Sequence, residues 1–194
     1  MQCRLGNKRL WLYFLLAAAA AALLVASSLM PWWNCRLSIP YLELGTGTPY
    51  IRIYQYGLEH NLVELRDYVI QDETPYYQML LAWIYTGLSA GLILLSTQLK
   101  GNKGRWLLGF VGLGYIAYAA VAIFIVVSNR IAEYDIALTG WSSRIYHSTV
   151  DVTVSYNASL GTGYYLAYAA GGLCIALALL RNVIIGKKAK SEQV

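Results

Sequence analysis

The chain has 194 residues, of which 58% are apolar and 13% are charged, and its formal net charge is +5. These values alone would fit one large soluble domain, but the charged residues are segregated along the chain. A nucleic-acid partner is not expected, because the positive charge lies in short segments beside apolar stretches and forms no basic patch on a folded surface.

Four stretches contain no Asp, Glu, Lys, Arg or His, and each is long enough to cross a hydrocarbon core of about 30 Å. A soluble helix rarely lacks charge over this length, because its outer face meets water. The sequence therefore predicts a membrane protein that is mainly α-helical, a bundle of four transmembrane (TM) helices. The predicted spans are TM1 at 10–30, TM2 at 76–99, TM3 at 106–128 and TM4 at 160–180.

Basic residues collect on one side of this arrangement. The N-terminus 1–9, the loop 100–105 and the tail 181–194 together hold ten of the 15 Lys and Arg residues. By the positive-inside rule both termini are predicted to be cytoplasmic, and the loops 31–75 and 129–159 to be extracellular. The expected localisation is the plasma membrane, as a multi-pass protein.

TM1 has an alternative interpretation as a cleaved signal peptide, since basic residues precede it and small residues end it. Its apolar run is longer than the usual signal core of about 7 to 15 residues, which favours a retained span. Trp32 and Trp33, just beyond TM1, are predicted to be anchors at the membrane interface.

The first extracellular loop is too long for a simple connection and is expected to be folded. Strands are predicted at 41–44 and 50–56, joined by a glycine-rich turn at 45–49. A short extracellular helix is predicted next, with Leu58 and Val69 at the two ends of its apolar face.

The second extracellular loop contains strict alternation of apolar and polar residues at 150–156, which predicts a strand. Because a single strand is unstable, it is expected to pair with the strands of the first loop. The fold class is thus a four-helix membrane bundle that carries a small extracellular antiparallel β-sheet and a short helix.

Two short segments carry a likeness to a known group. Residues 29–33 read Leu-Met-Pro-Trp-Trp, and residues 56–58 read Tyr-Gly-Leu. With the order of elements, they resemble the claudin and peripheral myelin protein group, which has Pro and Trp at the first exit and a Gly-Leu-Trp segment in its first loop. The resemblance implies a tetraspan with a strand-rich outer face. Glu59 and His60 stand where the group has a Trp and then two disulfide-bonded cysteines, so that bond cannot form here.

Ionisable groups are missing from the four predicted spans, which argues against proton relays and ion-coupled transport. His60 and His147, one in each extracellular loop, are weak metal-site candidates, because no ligand spacing accompanies them. No catalytic or cofactor-binding constellation is found, so neither enzymatic activity nor a cofactor is expected. Asn157 begins an Asn-Ala-Ser sequon on the predicted outer face and is a glycosylation candidate.

Tyrosines in the loops suit protein contact, because each offers a large amphipathic surface. The candidates for an interaction surface are Tyr50, Tyr54, Tyr56, Tyr146 and Tyr156. Small residues in the spans allow close approach of helix backbones. The candidates for helix packing are Gly87, Gly91, Gly109, Gly112, Ala167 and Gly171.

These observations predict a non-enzymatic, claudin-like tetraspan whose extracellular loops mediate protein–protein interaction or assembly. Its expected partners are membrane lipid and other membrane or extracellular proteins or further copies of itself. An alternative is a small accessory subunit of a larger membrane complex, such as a respiratory or oxidase complex. A third possibility is a transporter or channel that uses polar groups of TM2, namely Thr86, Ser89, Ser96 and Thr97. Of these, Ser89 and Ser96 share one helix face.

Overall fold

The computed structural model describes residues 2–39, 48–61, 76–99, 102–146 and 151–185. The protein is mainly helical, with four long apolar helices and a small antiparallel sheet of five strands. In chain order the elements are α1 Gln2–Leu29, β1 Trp33–Ser38, β2 Tyr50–Tyr54, β3 Gly57–His60, α2 Tyr76–Gln98, α3 Asn102–Val121, a π-helical segment Ala122–Val127, α4 Ser128–Ala132, β4 Gly140–Tyr146, β5 Val152–Leu160 and α5 Thr162–Ile185.

Within the described ranges, four helical stretches are long and apolar enough to cross a membrane. They are Lys8–Leu29, Tyr76–Gln98, Asn102–Ala132 and Thr162–Ile185. The third joins α3, the π-helical segment and α4 and is longer than predicted TM3. The difference arises because a charge ends an apolar stretch in the sequence, whereas backbone hydrogen bonding continues through Arg105 and Arg130.

The chain divides into two compact units. The helical unit comprises Met1–Val25, Thr86–Ile116 and Ala167–Val194, and the sheet unit comprises Ala26–Tyr85 and Ala117–Leu166. All five strands and the π-helical segment belong to the sheet unit.

Close backbone approach within the helical unit occurs between α3 and α5. A Cβ added at Gly112 would lie 2.7 Å from the Gly171 carbonyl oxygen, and one added at Gly171 would lie 2.6 Å from Ile116 Cγ1. Ala167 is fully buried, and Gly109 has room for a Cβ at ordinary contact distance, 3.7 Å from Ala178. These four of the six small-residue candidates therefore lie at or near buried helix surfaces.

Gly87 and Gly91 depart from that expectation. A Cβ at either position would meet no atom within 4 Å, and both residues are exposed on α2. Their spacing of four residues places them on one helix face, but no described residue of this chain packs closely against it. Among the described residues, these two glycines therefore do not bring helices of this chain together.

The sheet has the strand order β3-β2-β1-β5-β4, and all its pairings are antiparallel. Alternate residues of each strand point to opposite faces. One face is buried, and its central side chains are Trp33, Cys35, Leu37, Ile51, Val154, Tyr156 and Ala158. The opposite face carries mainly polar side chains and is more exposed, the pattern of an antiparallel sheet packed on one side only.

Strand positions correct the sequence prediction in several places. The strand predicted at 50–56 ends at Tyr54, and a turn at Gln55 and Tyr56 leads into β3. Leu58, where the short helix was expected to begin, therefore lies in a strand, because the tight turn returns the chain alongside β2. The remainder of that helix and the strand at 41–44 lie outside the described residues.

The other three strands also differ from expectation. The strand predicted at 150–156 is Val152–Leu160, and β1 and β4 were not predicted. Trp32 and Trp33 are buried in the sheet unit, which corrects their expected role as membrane anchors. Trp33 begins β1, and the backbone N–H of Trp32 donates to the Ile53 carbonyl at 2.7 Å, so both tryptophans belong to the packing of the sheet.

Candidate functional site

The exposed side of β4 is the most apolar part of the sheet's outward face. Trp141 and Ile145 point to this side and are 72% and 53% exposed. Within the described chain β4 pairs only with β5 and forms one edge of the sheet. An edge strand with large exposed apolar side chains is a surface on which another chain can dock.

The position of β4 is fixed by contacts to the end of α4. The Arg144 guanidinium donates to the Glu133 carbonyl oxygen at 2.9 Å and lies 3.5 Å from the Asp135 carboxylate. Asp135, three residues beyond the end of α4, adopts a left-handed conformation with φ of 57°. Aspartate tolerates this backbone region better than most residues, so the turn that leads to β4 is well determined.

Asn157, the glycosylation candidate, lies on β5 directly opposite Trp141 in the strand register. Side chains of directly opposed residues lie on the same face of a sheet with Cβ atoms about 4.5 to 5.5 Å apart. A glycan on Asn157 would therefore cover Trp141. A glycan at Asn157 would therefore hinder a protein from docking on Trp141.

A polar cluster lies on β2 and β3. The hydroxyls of Tyr50 and Tyr54 donate to the two carboxylate oxygens of Glu59 at 3.1 and 2.7 Å, and the Arg52 guanidinium lies 4.3 Å from the centre of the Tyr50 ring. The hydrogen bond from Tyr54 is the main cause that lowers the pKa of Glu59, and burial is the main cause that raises the pKa of Tyr54. Tyr50 and Tyr54 are thus engaged in ordering the β2–β3 hairpin.

The remaining interaction candidates are distributed over both faces of the sheet. The Tyr56 ring stacks between those of Tyr54 and Trp83, with centroids 5.2 and 5.5 Å apart. Tyr146 and Tyr156 share a hydrogen bond of 2.8 Å on the inner face. Tyr156 is fully buried and its pKa is raised, chiefly by burial. Its expected place on an exposed interaction surface is therefore wrong, because strand alternation turns it inward with Val154.

Cys35 lies on the buried face of β1 and forms no disulfide. Burial raises the pKa of its thiol from 9.0 to about 12. At pH 8 such a thiol is about a thousandfold less ionised than one with the ordinary pKa, and only the thiolate reacts with alkylating agents.

We expect iodoacetamide at pH 8 to alkylate Cys35 in the folded protein about a thousandfold more slowly than in the denatured chain. Mass spectrometry of the peptide that contains Cys35, after timed quenching, measures both rates. Equal rates in the folded and denatured protein would mean that this thiol is accessible and that the inner face of the sheet is not packed as described.

A cavity lies beneath the β2–β3 hairpin and is the second candidate site. We call it the hairpin cavity, and its volume is about 240 Å³. Its lining consists of residues 53–58, residues 121–123, 126 and 127, and Trp32, Gln78, Tyr118 and Arg130. All of these residues belong to the sheet unit. Aromatic rings support the wall, since Tyr118 contacts Trp32 and Tyr85 with centroid distances of 5.7 and 4.7 Å.

The π-helical segment forms a large part of the helical wall of this cavity, beside residues of α2, α3 and α4. The Ser128 N–H donates to the Ile123 carbonyl five residues earlier, the hydrogen-bond spacing that defines a π-helix. Such wider turns occur frequently at functional sites. Their presence here, on the wall of the hairpin cavity, marks the segment as more than a connection between α3 and α4.

Metal binding receives no support from the described residues. They contain no group of three or more His, Cys, Asp or Glu side chains that could hold a metal ion. His60 is exposed at the end of β3, and His147 lies outside the described residues.

A buried arginine in the helical unit was missed by the sequence analysis. Arg181 was placed in the cytoplasmic tail, but it lies within α5, is only 6% exposed and donates to the Leu99 carbonyl near the end of α2. Its guanidinium carbon lies 5.6 Å from the centre of the Tyr13 ring. A cation suits this position because the carbonyl end of a helix carries a partial negative charge.

Two hydroxyls near the end of α2 form hydrogen bonds within their own helix. Ser96 and Thr97 donate to the carbonyls of Ile93 and Leu94, three residues earlier, at 2.6 and 2.7 Å. Ser89 is buried. The hydroxyls of Ser96 and Thr97 therefore form hydrogen bonds from the side chain to the backbone of the same helix.

Comparison with known proteins gives no match, either to a protein-family model or to a curated protein. The resemblance to the claudin and peripheral myelin protein group therefore stays a prediction. The candidate sites rest on geometry alone: the exposed side of β4 and the hairpin cavity.

Proposed function

We propose that this protein is a four-span protein of the plasma membrane whose outward-facing sheet docks another protein, and that it acts by assembly and not by catalysis. The observation that carries the proposal is the exposed edge strand β4, with Trp141 and Ile145 on its outer side. Claudin-like architecture, cytoplasmic termini and extracellular loops belong to the same proposal.

Insertion in a membrane is supported by the surface of the helices. Exposed large apolar side chains occur on every candidate span, among them Leu15, Leu88, Phe110 and Leu179. Soluble proteins rarely expose contiguous apolar surface of this extent. A bilayer covers such surface, and the polar face of the sheet is suited to meet water beyond it.

Docking at β4 is supported by the physics of edge strands. The outer edge of a strand presents backbone N–H and C=O groups to which an extended segment of another protein can bond. Trp141 and Ile145 add large apolar contacts beside those hydrogen bonds. Many native sheets protect an edge with proline or with outward charge, whereas the one charged residue of β4, Arg144, points inward and its outward residues are Trp141, Ser143 and Ile145.

The test is site-directed photocrosslinking in membranes. A benzophenone amino acid placed at 141 or 145 in the full chain is expected to give discrete protein adducts on irradiation, and one placed at Phe110 on an apolar helix surface is expected to give none. The double variant Trp141→Ser, Ile145→Ser, probed from position 143, is expected to lose the adducts while the protein stays in the membrane.

The mass of the adduct identifies the partner. An adduct of twice the chain mass indicates self-assembly, and one with a cofactor-bearing subunit indicates the accessory-subunit role; both are forms of docking at β4. Absence of any protein adduct from 141 and 145 in native membranes contradicts the proposal. Release of the protein by alkaline carbonate would contradict its membrane part.

A further inference from the structure

We propose that the hairpin cavity binds the acyl chain of a membrane lipid with an anionic head group. This inference rests on the proposal that the helices cross a bilayer. It goes beyond docking at β4, because the cavity lies under the β2–β3 hairpin at the other end of the strand order.

The size and surface of the cavity fit a hydrocarbon chain. An engineered apolar cavity of about 150 Å³ binds benzene, so the hairpin cavity, of about 240 Å³, has room for more hydrocarbon than one benzene ring. The π-helical segment contributes only valine, alanine and isoleucine side chains to its wall. Water gains few hydrogen bonds from such a wall, whereas an acyl chain gains dispersion contacts.

The wall of the cavity continues onto the apolar exterior of the helix. Val121 and Val126 line the cavity and are still 49% and 58% exposed, so the wall continues to the outside surface of the span. Phe124 and Ile125, between them, are exposed as well. Lipid covers such a surface in a bilayer, and an acyl chain can therefore enter from the side without crossing water.

The helical wall is polar at Arg130 and apolar toward Val121, just as a lipid is polar at its head group and apolar along its chain. The span Asn102–Ala132 has 31 residues and is about 46 Å long, so it extends beyond a hydrocarbon core of about 30 Å. Arg130 lies two residues from its end, and the wall from Arg130 back to Val121 is about 13 Å long. A lipid with its head group at Arg130 would run its chain along Val127 and Ile123.

Charge selects the class of head group. Arg130 is partly buried at the cavity, and Gln55 and Gln78 are the other polar side chains that line it apart from the tyrosines. A guanidinium bonds phosphate and carboxylate oxygens with matched geometry. An anionic phospholipid is therefore favoured over a zwitterionic one with the same chains.

Hydrogen bonds within the protein hold the hairpin wall in place. The Trp32 N–H donates to the Ile53 carbonyl at 2.7 Å, and the Ser28 hydroxyl donates to the Gln55 side-chain oxygen at 2.5 Å. The Trp32 indole donates in turn to the Ser27 carbonyl at 2.8 Å. These contacts tie β2 and its turn to the end of α1, so the cavity is largely pre-formed, as ligand sites usually are.

The test uses phosphatidylglycerol and phosphatidylcholine that carry a diazirine on the same acyl chain. The full chain is reconstituted in vesicles with a trace of either probe, irradiated and digested, and the adducts are mapped by mass spectrometry. We expect adducts concentrated in residues 53–58 and 121–130, stronger for phosphatidylglycerol, and displaced in a saturable way by unlabelled phosphatidylglycerol.

Variants separate the cavity from lipid that merely surrounds the helices. Ala122→Phe fills the cavity and should reduce these adducts about tenfold, whereas Ile125→Phe, on the exposed side of the same segment, should leave them unchanged. Arg130→Gln should make the two probes label equally. Uniform, unsaturable labelling that Ala122→Phe does not alter would overturn the lipid site.

The two proposals fail in distinguishable ways. A protein that carbonate releases from membranes contradicts the bilayer part of the proposed function, and the lipid site with it. A protein that stays in the membrane and gives β4 adducts, but labels uniformly with both lipid probes, retains its proposed function and loses only the lipid site.

Discussion

Replacement of Trp33 by alanine is expected to lower the free energy of unfolding by about 3–5 kcal/mol, the usual loss for a large aromatic side chain in a core. Trp33 is fully buried, and its indole donates to the Leu138 carbonyl at 2.8 Å. The substitution leaves a cavity and an unsatisfied carbonyl in the segment that leads to β4. Thermal unfolding in mild detergent measures the effect.

The matched control is Trp141→Ala in the same sheet. Trp141 is 72% exposed, and its removal is expected to change the free energy of unfolding by less than about 0.5 kcal/mol. The two tryptophans thus separate packing from docking: Trp33→Ala should unfold the sheet unit, and Trp141→Ala should weaken only the crosslinks at β4. Equal destabilisation by both would contradict the assignment of the sheet's two faces.

Trp33 also illustrates what the sequence could have revealed about β1. Residues 33–38 read Trp-Asn-Cys-Arg-Leu-Ser, a strict alternation of apolar and polar residues that is typical of a half-buried strand. The proximity of the pair Trp32 and Trp33 to an apolar span favoured the interpretation as membrane anchors instead. The four apolar helices were predictable because length and lack of charge are strong signals, and they do not depend on tertiary contacts.

β4 could not be found in the same way. Its inward positions are Gly140, Ser142, Arg144 and Tyr146, and its outward positions include Trp141 and Ile145, so the apolar residues do not mark the buried face. Arg144 points inward because the end of α4 supplies its partners. Such a strand is specified by its neighbours, and its own sequence carries little period-two signal.

The candidate sites depend even more on tertiary structure. The hairpin cavity arises where residues 53–58 lie over the π-helical segment, and nothing in the local sequence indicates that wider turn. Arg181 lies just beyond an uncharged stretch, so the sequence analysis assigned it to the tail. A charged residue ends an apolar stretch of sequence, but a helix can continue through it. A buried cation at a helix end becomes visible only with its carbonyl partner.

Two adjacent glycines on α5 are expected to respond to alanine in opposite directions. Gly171→Ala should lower the free energy of unfolding by about 1–3 kcal/mol, because its Cβ would lie 2.6 Å from Ile116 Cγ1 and 2.9 Å from the Gly112 carbonyl oxygen. Gly172→Ala meets no atom within 4 Å and should raise it by up to about 1 kcal/mol through helix propensity. Thermal unfolding of both variants in the same detergent measures the difference.

The comparison isolates packing because both residues lie in the middle of one helix and receive the same methyl group. Helix propensity and lipid exposure of the backbone change the free energy of unfolding in the same direction in both variants. Changes of opposite sign would therefore report the close approach of α3 to α5. In a membrane, where no hydrophobic effect draws apolar helices together, such close backbone contact is a principal source of association. Destabilisation by Gly172→Ala as large as that by Gly171→Ala would place the contact face of α5 elsewhere.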